Sequence, residues 1–454
     1  MPPVARVPLS PAPPRRRRRL WLALAGLITL LVLWLGSRWA YEHVPGVHYR
    51  VRVAFAWAYD RVIPPSDALP TPINSPQSVA PATLALPTLT PTVASSATAV
   101  PVIAVAAAAS PRPSLPPSAV PSPTPLPPTA TMVPGVVLLT GFHHEQQYFN
   151  NCGPTTLAID LSFWGWKGDQ HVVAAVLRPN QDDKNVSPPE IQAYLEANGY
   201  EAVVRVNGDV DTLRRFIAAG YPVMVQKGLT CGEGDDHCTG WVGHYALIIG
   251  YDDRLKEFTL EDSFRGAGIK AYYRDLLAEW RAFNYVYIVP YPAGAVRRAQ
   301  VLSLLGQAAD VETNYRAALA RAEQEAASSK YSPAAFAWFN AGTNLAALGD
   351  FAGAAAAYDE ARQIKLPSAM LWYQFGPFQA YFETGRYDDV EHLTSFAISA
   401  AHLSGVEEAY YWRGRTREAL GQHDRALDDY RAALEANPSY QLAQQALTPA
   451  SVMP

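Results

Sequence analysis

The sequence predicts two folded domains of different classes, an α+β domain over residues 136–290 and an all-α repeat domain over residues 296–447. In the first domain helical patterns come early and strand patterns come later, which is the order of an α+β fold. In the second domain the periodicity is wholly helical, and a short pattern recurs every 36 residues. A long proline-rich stretch precedes both domains and separates them from an apolar N-terminal segment.

Composition limits the classes of protein to which the chain can belong. The chain has 454 residues, of which 49% are hydrophobic, and this is enough for more than one packed core. The net charge is −4, and no basic patch with interleaved aromatic residues follows the N-terminus, so nucleic acid is not an expected partner. Only three cysteines are present, which excludes a disulfide-rich scaffold.

The N-terminus has the pattern of a membrane anchor. Five arginines, Arg15–Arg19, precede residues 20–37, which carry no charge and are just long enough to span a hydrocarbon core. A cleaved signal peptide is the alternative, but residues 36–39, Gly-Ser-Arg-Trp, make a poor cleavage site. The arginines favour a cytoplasmic location for residues 1–19. We therefore predict a single-pass protein of the cell membrane, with the bulk of the chain extracytoplasmic.

Residues 64–134 have the composition of a spacer. They consist largely of Pro, Ala, Thr, Ser and Val, and only Asp67 and Arg112 are charged. Such a sequence cannot bury a core, and its prolines favour extended polyproline II segments. We predict a disordered linker that holds the folded domains away from the membrane.

The elements of the α+β domain follow from helix-start signals and apolar runs. Pro154 is suited to the first turn of a helix, and Ser187-Pro188-Pro189-Glu190 is a capping-box pattern that opens another. Further helical patterns begin near Asp169, Val210 and Asp275. Strands are predicted at residues 202–206, 222–226, 244–251, 257–262 and 285–289.

The C-terminal domain repeats a turn signal and an alanine. Gly349-Asp-Phe, Gly385-Arg-Tyr and Gly421-Gln-His stand 36 residues apart, as do Ala361, Ala397 and Ala433. This pattern resembles tetratricopeptide repeats, which implies stacked helix pairs and a surface that binds a protein partner. Trp338, Trp372 and Trp412 are expected in the inter-helix core. Gly376-Pro377 is expected to kink the first helix of the middle unit.

Cys152 is the candidate nucleophile. It stands at the start of the helix that Pro154 predicts, where the positive end of the helix dipole favours thiolate over thiol. His244, at the start of an apolar strand, is the candidate base. A hairpin turn at residues 252–254 would place Asp262 directly opposite His244, where its carboxylate can orient the imidazole. A small buried thiol, a core histidine and a strand-end carboxylate are the structural alternatives.

Gln146 is the candidate donor for an oxyanion. Its amide, six residues before Cys152, could reach the start of the helix and act there together with the backbone N–H of Cys152. The neighbouring Gln147 is a rival, and the spacing favours Gln146.

These residues resemble the C39-like cysteine peptidases of the papain-like superfamily. The resemblance rests on the Gln146-to-Cys152 spacing, the Cys152-Gly153-Pro154 helix start, Gly243-His244-Tyr245 and Asp262, and it covers about residues 136–290. It implies a papain-like fold with these four residues as oxyanion donor, nucleophile, base and orienting carboxylate. It implies no metal and no organic cofactor.

The chain also departs from the best-known members of that family. Those are cytoplasmic leader-peptide domains of bacteriocin exporters that cleave after a double glycine, whereas no transporter or ATPase follows this domain. Ser263 follows Asp262 where proline is common in the family. The double-glycine specificity is therefore not carried over.

Cys231 and Cys238 form a second local pattern. In an oxidising exterior a disulfide closing this short loop is favoured. The alternative is a zinc site in which His237 joins the two thiolates, but its ligands would be crowded into one loop.

Together these patterns predict a membrane-anchored extracytoplasmic cysteine peptidase that acts on a peptide or protein substrate through a thioester acyl-enzyme. The repeat domain is expected to bind a protein partner or the substrate. Two alternatives remain. The same thiol could serve an acyl transferase or transpeptidase, or the chain could be a catalytically inactive surface adaptor whose repeats bind a partner.

Overall fold

A computed structural model describes Thr29, Gly36 and residues 68–73, 133–180, 183–231, 240–401 and 405–448. The predicted anchor at residues 20–37 lies outside these ranges except for the two isolated residues, and so does the predicted cytoplasmic segment 1–19. Within the described ranges, no helix combines the length and the apolar character needed to cross a bilayer.

The α+β domain carries its catalytic candidates on one helix and two strands. Its helices are α1 (Cys152–Phe163), α2 (Gln170–Leu177), α3 (Pro188–Ala197), α4 (Val210–Ala218) and α5 (Tyr273–Trp280). Its strands are β1 (Val136–Leu138), β2 (Tyr200–Arg205), β3 (Val223–Thr230), β4 (Trp241–Asp252), β5 (Glu257–Asp262), β6 (Gly266–Tyr272) and β7 (Tyr287–Pro292). The predicted capping box at the start of α3 is present, with the Ser187 N–H donating to the Glu190 carboxylate at 2.7 Å.

The strands form one antiparallel sheet with β4 near its centre. The order is β2-β7-β3-β4-β5-β6, and β1 pairs with part of β4. Helix α1 packs on this sheet through a buried core that includes Leu157, Leu161, Tyr245 and Leu247. The mixed helix-and-sheet class predicted for this domain is confirmed. Strands β1 and β6 were not predicted.

The predicted register of the β4–β5 hairpin is wrong by two residues. The turn covers residues 253–256 rather than 252–254, and Leu247 pairs with Glu261. His244 is therefore a diagonal neighbour of Asp262 and not its direct partner. Because side chains alternate between the two faces of a strand, a shift of two residues leaves both on the same face. A bulge lies between Ile248 and Gly250. On the side of the bulge nearer the turn, the observed pairing differs from the predicted one by one residue more.

The C-terminal region is wholly helical among its described residues. Its helices are α6 (Ala295–Leu305), α7 (Val311–Ser328), α8 (Ser332–Ala347), α9 (Phe351–Ile364), α10 (Gly376–Glu383), α11 (Tyr387–Ala400), α12 (Glu407–Ala419), α13 (His423–Ala436) and α14 (Gln441–Leu447). The repeated glycines at 349, 385 and 421 all have positive φ, between 71° and 84°. They lie in the turns between paired helices, where a left-handed conformation favours glycine, and this explains their regular spacing.

The expected kink at Gly376-Pro377 is not observed. Helix α10 begins at Gly376, so Pro377 lies in its first turn, where its missing N–H costs nothing. The preceding residues form a separate 3₁₀ helix, Ser368–Trp372. The first helix of this unit is therefore divided, and the connector between its two parts includes Tyr373.

The helical region packs directly against the α+β domain. The Asn340 amide donates to the Arg281 carbonyl at 2.8 Å, and the side chains of Asn284 and Asn344 are 2.6 Å apart. Arg281 also pairs with Glu325 at 2.9 Å. These side chains form hydrogen bonds and an ion pair across the boundary, so the contact is a specific one.

The spacer prediction needs a correction at residues 68–73. This segment lies against α9 and α11 with Leu69 buried at 4% exposure in the core of the helical region. Residues 133 and 134 are also described, whereas the intervening residues of the predicted linker lie outside the described ranges. Composition identified the proline-rich character correctly but gave no sign that six of these residues pack against the helical region.

A cluster of carboxylates is buried where α12 meets the α+β domain. Glu407 accepts from Asn437 at 2.8 Å, while its second oxygen and one oxygen of Asp183 find no partner among the described residues. Burial, together with the charge of nearby Glu190, raises the pKa of Glu407 to about 7. Burial also raises the pKa values of Asp183 and Glu408 well above their usual range.

Because of this cluster, we expect the free energy of unfolding to fall as the pH rises. The raised pKa of Glu407 means that the folded chain binds the proton more tightly than the unfolded chain. The stabilisation that comes from protonated Glu407 is complete below about pH 4.5 and is lost as the pH rises through about 7. We expect Glu407→Gln to stabilise the protein at pH 8 by about 2 kcal/mol and to flatten the pH dependence. Thermal unfolding at pH 5 and pH 8 measures this, with the exposed Glu360→Gln as control. Equal melting temperatures for Glu407→Gln and wild type at pH 8 would contradict it.

Candidate active site

Cys152 is the first residue of α1 and is a free, half-buried thiol. Asn150, two residues earlier, has a φ of 54°, so the chain turns sharply just before the helix begins. The first-turn N–H groups of α1 are aligned at this end, where the helix dipole favours a negative charge. The predicted position of the thiol at a helix start is thus observed.

His244 and Asp262 form a buried pair next to this thiol. His244 Nε2 lies 2.9 Å from Asp262 Oδ1, and the two side chains are only 3% and 1% exposed. The same carboxylate oxygen accepts from the backbone N–H groups of Phe264 and Arg265, each at 3.0 Å. Because Nε2 faces Asp262, Nδ1 is the ring nitrogen left for the Cys152 thiol, to which His244 is hydrogen-bonded.

The charges of the three groups stabilise one another. Burial opposes a charge on His244, but Asp262 and Cys152 outweigh it and raise the pKa of His244 to about 9. Burial likewise acts to raise the pKa of the Cys152 thiol, but His244 and a backbone hydrogen bond from Tyr245 leave it below its ordinary value. Burial is also outweighed at Asp262, where His244 holds the carboxyl pKa well below its usual range. The arrangement therefore favours a thiolate beside an imidazolium.

Gln146 lies on the loop before α1, close to the loop that follows Asp262. Its amide nitrogen donates to the Phe264 carbonyl at 2.7 Å, and the Phe264 ring packs edge-on against His244 with centroids 6.3 Å apart. Among the described contacts, none joins the Gln146 amide to Cys152. An amide nitrogen carries two hydrogens, so one remains for an oxyanion. The rival Gln147 instead accepts from the Ser263 hydroxyl at 2.8 Å.

A network that the sequence analysis missed supports the loop before Cys152. Gln170 Oε1 accepts from Asn151 and Thr155, each at 2.9 Å. Arg178 donates to Asn151 Oδ1 at 3.0 Å and to the Phe149 carbonyl at 3.2 Å. No local motif marks Gln170 or Arg178, because their role depends on how α2 packs against the start of α1.

Arg178 is expected to position the nucleophile. Arg178→Met leaves the Phe149 carbonyl and the Asn151 amide oxygen without this donor, and it removes a positive charge that lowers the thiol pKa. We expect kcat/KM to fall about 10-fold and the pKa of Cys152 to rise. Arg178→Lys keeps the charge but loses the forked geometry. It should therefore lower kcat/KM while leaving the thiol pKa nearer to that of wild type. Both variants matching wild type in rate would contradict this role.

A small pocket beside Cys152 is formed by both domains. It has a volume of about 10 Å³, which is room for about one water molecule. Its polar lining comprises Asn150, Lys184, Asn185, Gln226 and Tyr373. The amide nitrogens of Asn150 and Asn185 have no hydrogen-bond partner within the described part of the chain, so they are available to an acceptor atom of a bound substrate.

Tyr373 brings the helical region into this pocket. Its ring packs so closely on β4 that a Cβ atom at Gly243 would lie 3.0 Å from the ring and 2.8 Å from Phe283. This explains why glycine precedes His244. Burial raises the pKa of the Tyr373 hydroxyl, and the nearby Cys152 adds to the rise, so the hydroxyl stays protonated at neutral pH.

Removing the Tyr373 ring should change substrate selection. We expect Tyr373→Ala to widen the pocket and to increase kcat/KM for peptides with bulky residues next to the cleaved bond, relative to peptides with small ones, by about 10-fold. Competition within a mixed peptide library, analysed by mass spectrometry, measures this ratio. Tyr331→Ala is the matched control, since Tyr331 is 81% exposed. An unchanged ratio would show that Tyr373 does not contact the substrate.

Cys231 is disulfide-bonded, whereas Cys238 and His237 lie outside the described residues. The predicted Cys231–Cys238 pairing therefore stays a prediction. Within the described ranges, no three His, Cys, Asp or Glu side chains are grouped in a way that could hold a metal ion.

A thiol, an imidazole and a carboxylate therefore lie together on a helix and two antiparallel strands of a mixed helix-and-sheet domain. Residues 138–288 match the family described as Peptidase_C39 like family, and residues 407–440 match the tetratricopeptide repeat. The chain thus contains a C39-like peptidase domain and a tetratricopeptide repeat, and the predicted resemblances are confirmed.

Three solved structures are similar to parts of this chain. A C39-like peptidase from Bacillus anthracis is 16% identical, with 35% of this chain and 99% of that chain covered and a TM-score of 0.29. The peptidase domain of Streptococcus ComA, a bi-functional ABC transporter involved in a quorum sensing pathway, is 16% identical over 34% of this chain and 100% of its own, with a TM-score of 0.27. MamA is 14% identical over 30% of this chain and 76% of its own, with a TM-score of 0.26. No curated protein matches the chain.

Proposed function

We propose that the protein is a cysteine peptidase that hydrolyses peptide bonds through a thioester acyl-enzyme. The observation that carries this proposal is the hydrogen-bonded series Cys152, His244 and Asp262, in which the thiol pKa is lowered and the imidazole pKa is raised. A non-catalytic core would gain nothing from burying a histidine and a carboxylate next to a thiol, because burial of charged groups is costly.

The proposed acylation step begins with the Cys152 thiolate. Its sulfur forms a bond to the substrate carbonyl carbon, and the backbone N–H of Cys152 and the free amide hydrogen of Gln146 stabilise the oxyanion. Imidazolium His244 gives its proton to the departing amine as the C–N bond breaks, which leaves a thioester and a neutral imidazole. Asp262 keeps the ring oriented throughout and stabilises its charged form.

Deacylation returns the site to its starting state. Neutral His244 takes a proton from water, and the resulting hydroxide adds to the thioester carbon. The C–S bond then breaks to release the carboxylic acid, and Cys152 leaves as thiolate beside imidazolium. A substrate amine in place of water would give acyl transfer, so the nature of the acceptor decides between hydrolysis and transpeptidation.

We also propose that the repeat region binds a protein or peptide and that residues 20–37 anchor the chain in a membrane, with the enzyme outside the cell. The tetratricopeptide match supports the first part. The arginine cluster before an uncharged apolar segment supports the second. Membrane fractions washed at high pH would retain the chain if the anchor is present, and protease added outside intact cells would then degrade the catalytic region.

The proposed activity is tested by incubating the full-length protein and its Cys152→Ala variant with a peptide library. New N- and C-termini that wild type generates and the variant does not would support hydrolysis. Products joined to an added amine would instead identify an acyl transferase. If both proteins leave the library intact but bind the same partner through the repeats, the protein is an adaptor and the proposal is wrong.

A further inference from the structure

Residues 68–73, Ala-Leu-Pro-Thr-Pro-Ile, are bound to the helical region in the manner of a peptide ligand. The Leu69 N–H donates to the Leu366 carbonyl at 3.0 Å. The Ile73 N–H donates to Asp389 Oδ1, also at 3.0 Å. Contacts at both ends therefore fix the position and direction of this short segment.

Arg362 binds the middle of the segment. Its Nε donates to the Pro70 carbonyl at 2.9 Å, and its Nη2 donates to the Thr71 carbonyl at 3.0 Å. Its Nη1 pairs with Asp389 at 3.2 Å, and these two charged side chains are only 1% and 0% exposed. A buried guanidinium needs partners for its N–H groups, and two of its three nitrogens here donate to main-chain carbonyls of the segment.

The surface buries one side chain of the segment and leaves others exposed to solvent. The leucine side chain is the buried anchor, while the Thr71 side chain is exposed and Ile73 is 53% exposed. The N–H groups of residues 69 and 73 donate to the surface, and residues 70 and 72 are prolines, which have no N–H to leave unpaired. Prolines also hold a peptide extended before it binds, which lowers the entropy cost of binding.

We propose that this surface of α9 and α11 is a docking site for an extended leucine-proline peptide, and that residues 68–73 are its resident intramolecular ligand. A partner protein that presents the same pattern would displace the segment and take the site. The proposal does not depend on catalysis, because none of the contacting residues belongs to the active site.

A short connector in the chain joins the docking site to the pocket beside Cys152. Leu366, which accepts from Leu69, is followed by the 3₁₀ helix Ser368–Trp372 and then by Tyr373. Leu69, Met370 and Leu371 belong to one buried cluster. The docked segment therefore braces the connector that carries Tyr373, and release of the segment would loosen one wall of the pocket.

Binding in trans tests the docking site. The probe is a fluorescein-labelled peptide with the sequence of residues 67–74. Its binding to the full-length protein is measured by fluorescence anisotropy. In wild type the tethered segment competes at an effective concentration of about 1 mM, so the peptide should bind weakly. Leu69→Asp frees the site, and we expect it to bind the peptide at least about 10-fold more tightly. A peptide with aspartate in place of the leucine should bind neither protein.

A second pair of variants guards against loss of folding. Ile73→Pro removes the N–H that Asp389 accepts without altering the buried leucine, whereas Ile73→Ala keeps that N–H. The first should increase peptide binding and the second should not. Equal affinity of wild type and both site-opening variants for the peptide, or no binding by any of them, would overturn the proposal.

The effect of the docked segment on Tyr373 and the pocket is measured separately, through the reactivity of Cys152. Iodoacetamide should alkylate Cys152 several-fold faster in Leu69→Asp than in wild type, and a saturating amount of the peptide should restore the wild-type rate. Unchanged alkylation with normal peptide binding would leave the docking site in place but overturn its connection to the pocket. Loss of peptidase activity alone would affect neither result.

Discussion

The His244→Gln variant is expected to lose peptide hydrolysis by about 10⁴-fold or more in kcat/KM. The substitution removes the proton donor for the leaving amine and the cation that lowers the pKa of Cys152. Burial would then act on the thiol without opposition and raise its pKa, so little thiolate would remain at neutral pH. Assays with any substrate found in the library experiment would measure the loss.

His144 provides the matched control for this variant. It pairs with Glu261 at 2.6 Å, on the strand that carries Asp262, and no hydrogen bond or ion pair among the described residues joins it to Cys152. We expect His144→Gln to retain activity within about 3-fold of wild type. A similar loss in both variants would mean that the effect came from disruption of the sheet rather than from loss of the base.

The Asp262→Asn variant is expected to lose about 10³- to 10⁴-fold in kcat, by analogy with the orienting aspartate of serine proteases. The amide keeps the size of the side chain but removes the charge that raises the pKa of His244. The imidazolium should then lose its proton at a lower pH, so the alkaline limb of the activity profile should move below pH 9.

Two further variants, one at Asp262 and one at the adjacent Glu261, separate the effect of the charge from an effect on the structure. Asp262→Ala should also lower stability, because the carboxylate accepts from the backbone of Phe264 and Arg265. Glu261→Gln changes the adjacent buried carboxylate on β5 and should leave the pH profile in place. If Asp262→Asn kept the wild-type alkaline limb, Asp262 would not be the group that sets the charge of His244.

Local sequence was sufficient to predict the elements that carry the site. Pro154 after Cys152 indicates a helix start, and the apolar run after His244 indicates a buried strand. The spacing of Gly349, Gly385 and Gly421 indicates the helical repeats, because each turn between paired helices needs a positive φ. In these cases the physical cause lies within a few residues of the signal.

The features that were missed depend on distant parts of the chain. The hairpin turn lies at residues 253–256, and a bulge near Ile248 changes the register by one residue; no residue type marks either feature. Arg178 acts across the packing of two helices, and Tyr373 reaches Cys152 from the other domain. The docking of Leu69 is of the same kind, since its partners stand about 300 residues later in the sequence. Tertiary contact, and not local propensity, determines each of these.

Cys152 is expected to exist as a thiolate that the charged His244 stabilises. The pH dependence of its alkylation by iodoacetamide tests this most directly, with wild type and His244→Ala compared and the modified peptide located by mass spectrometry. We predict that wild type reacts with an apparent pKa well below the free-thiol value of about 8.5, and that the variant titrates at a higher pH. A wild-type profile like that of a free thiol, unchanged in the variant, would contradict the claim.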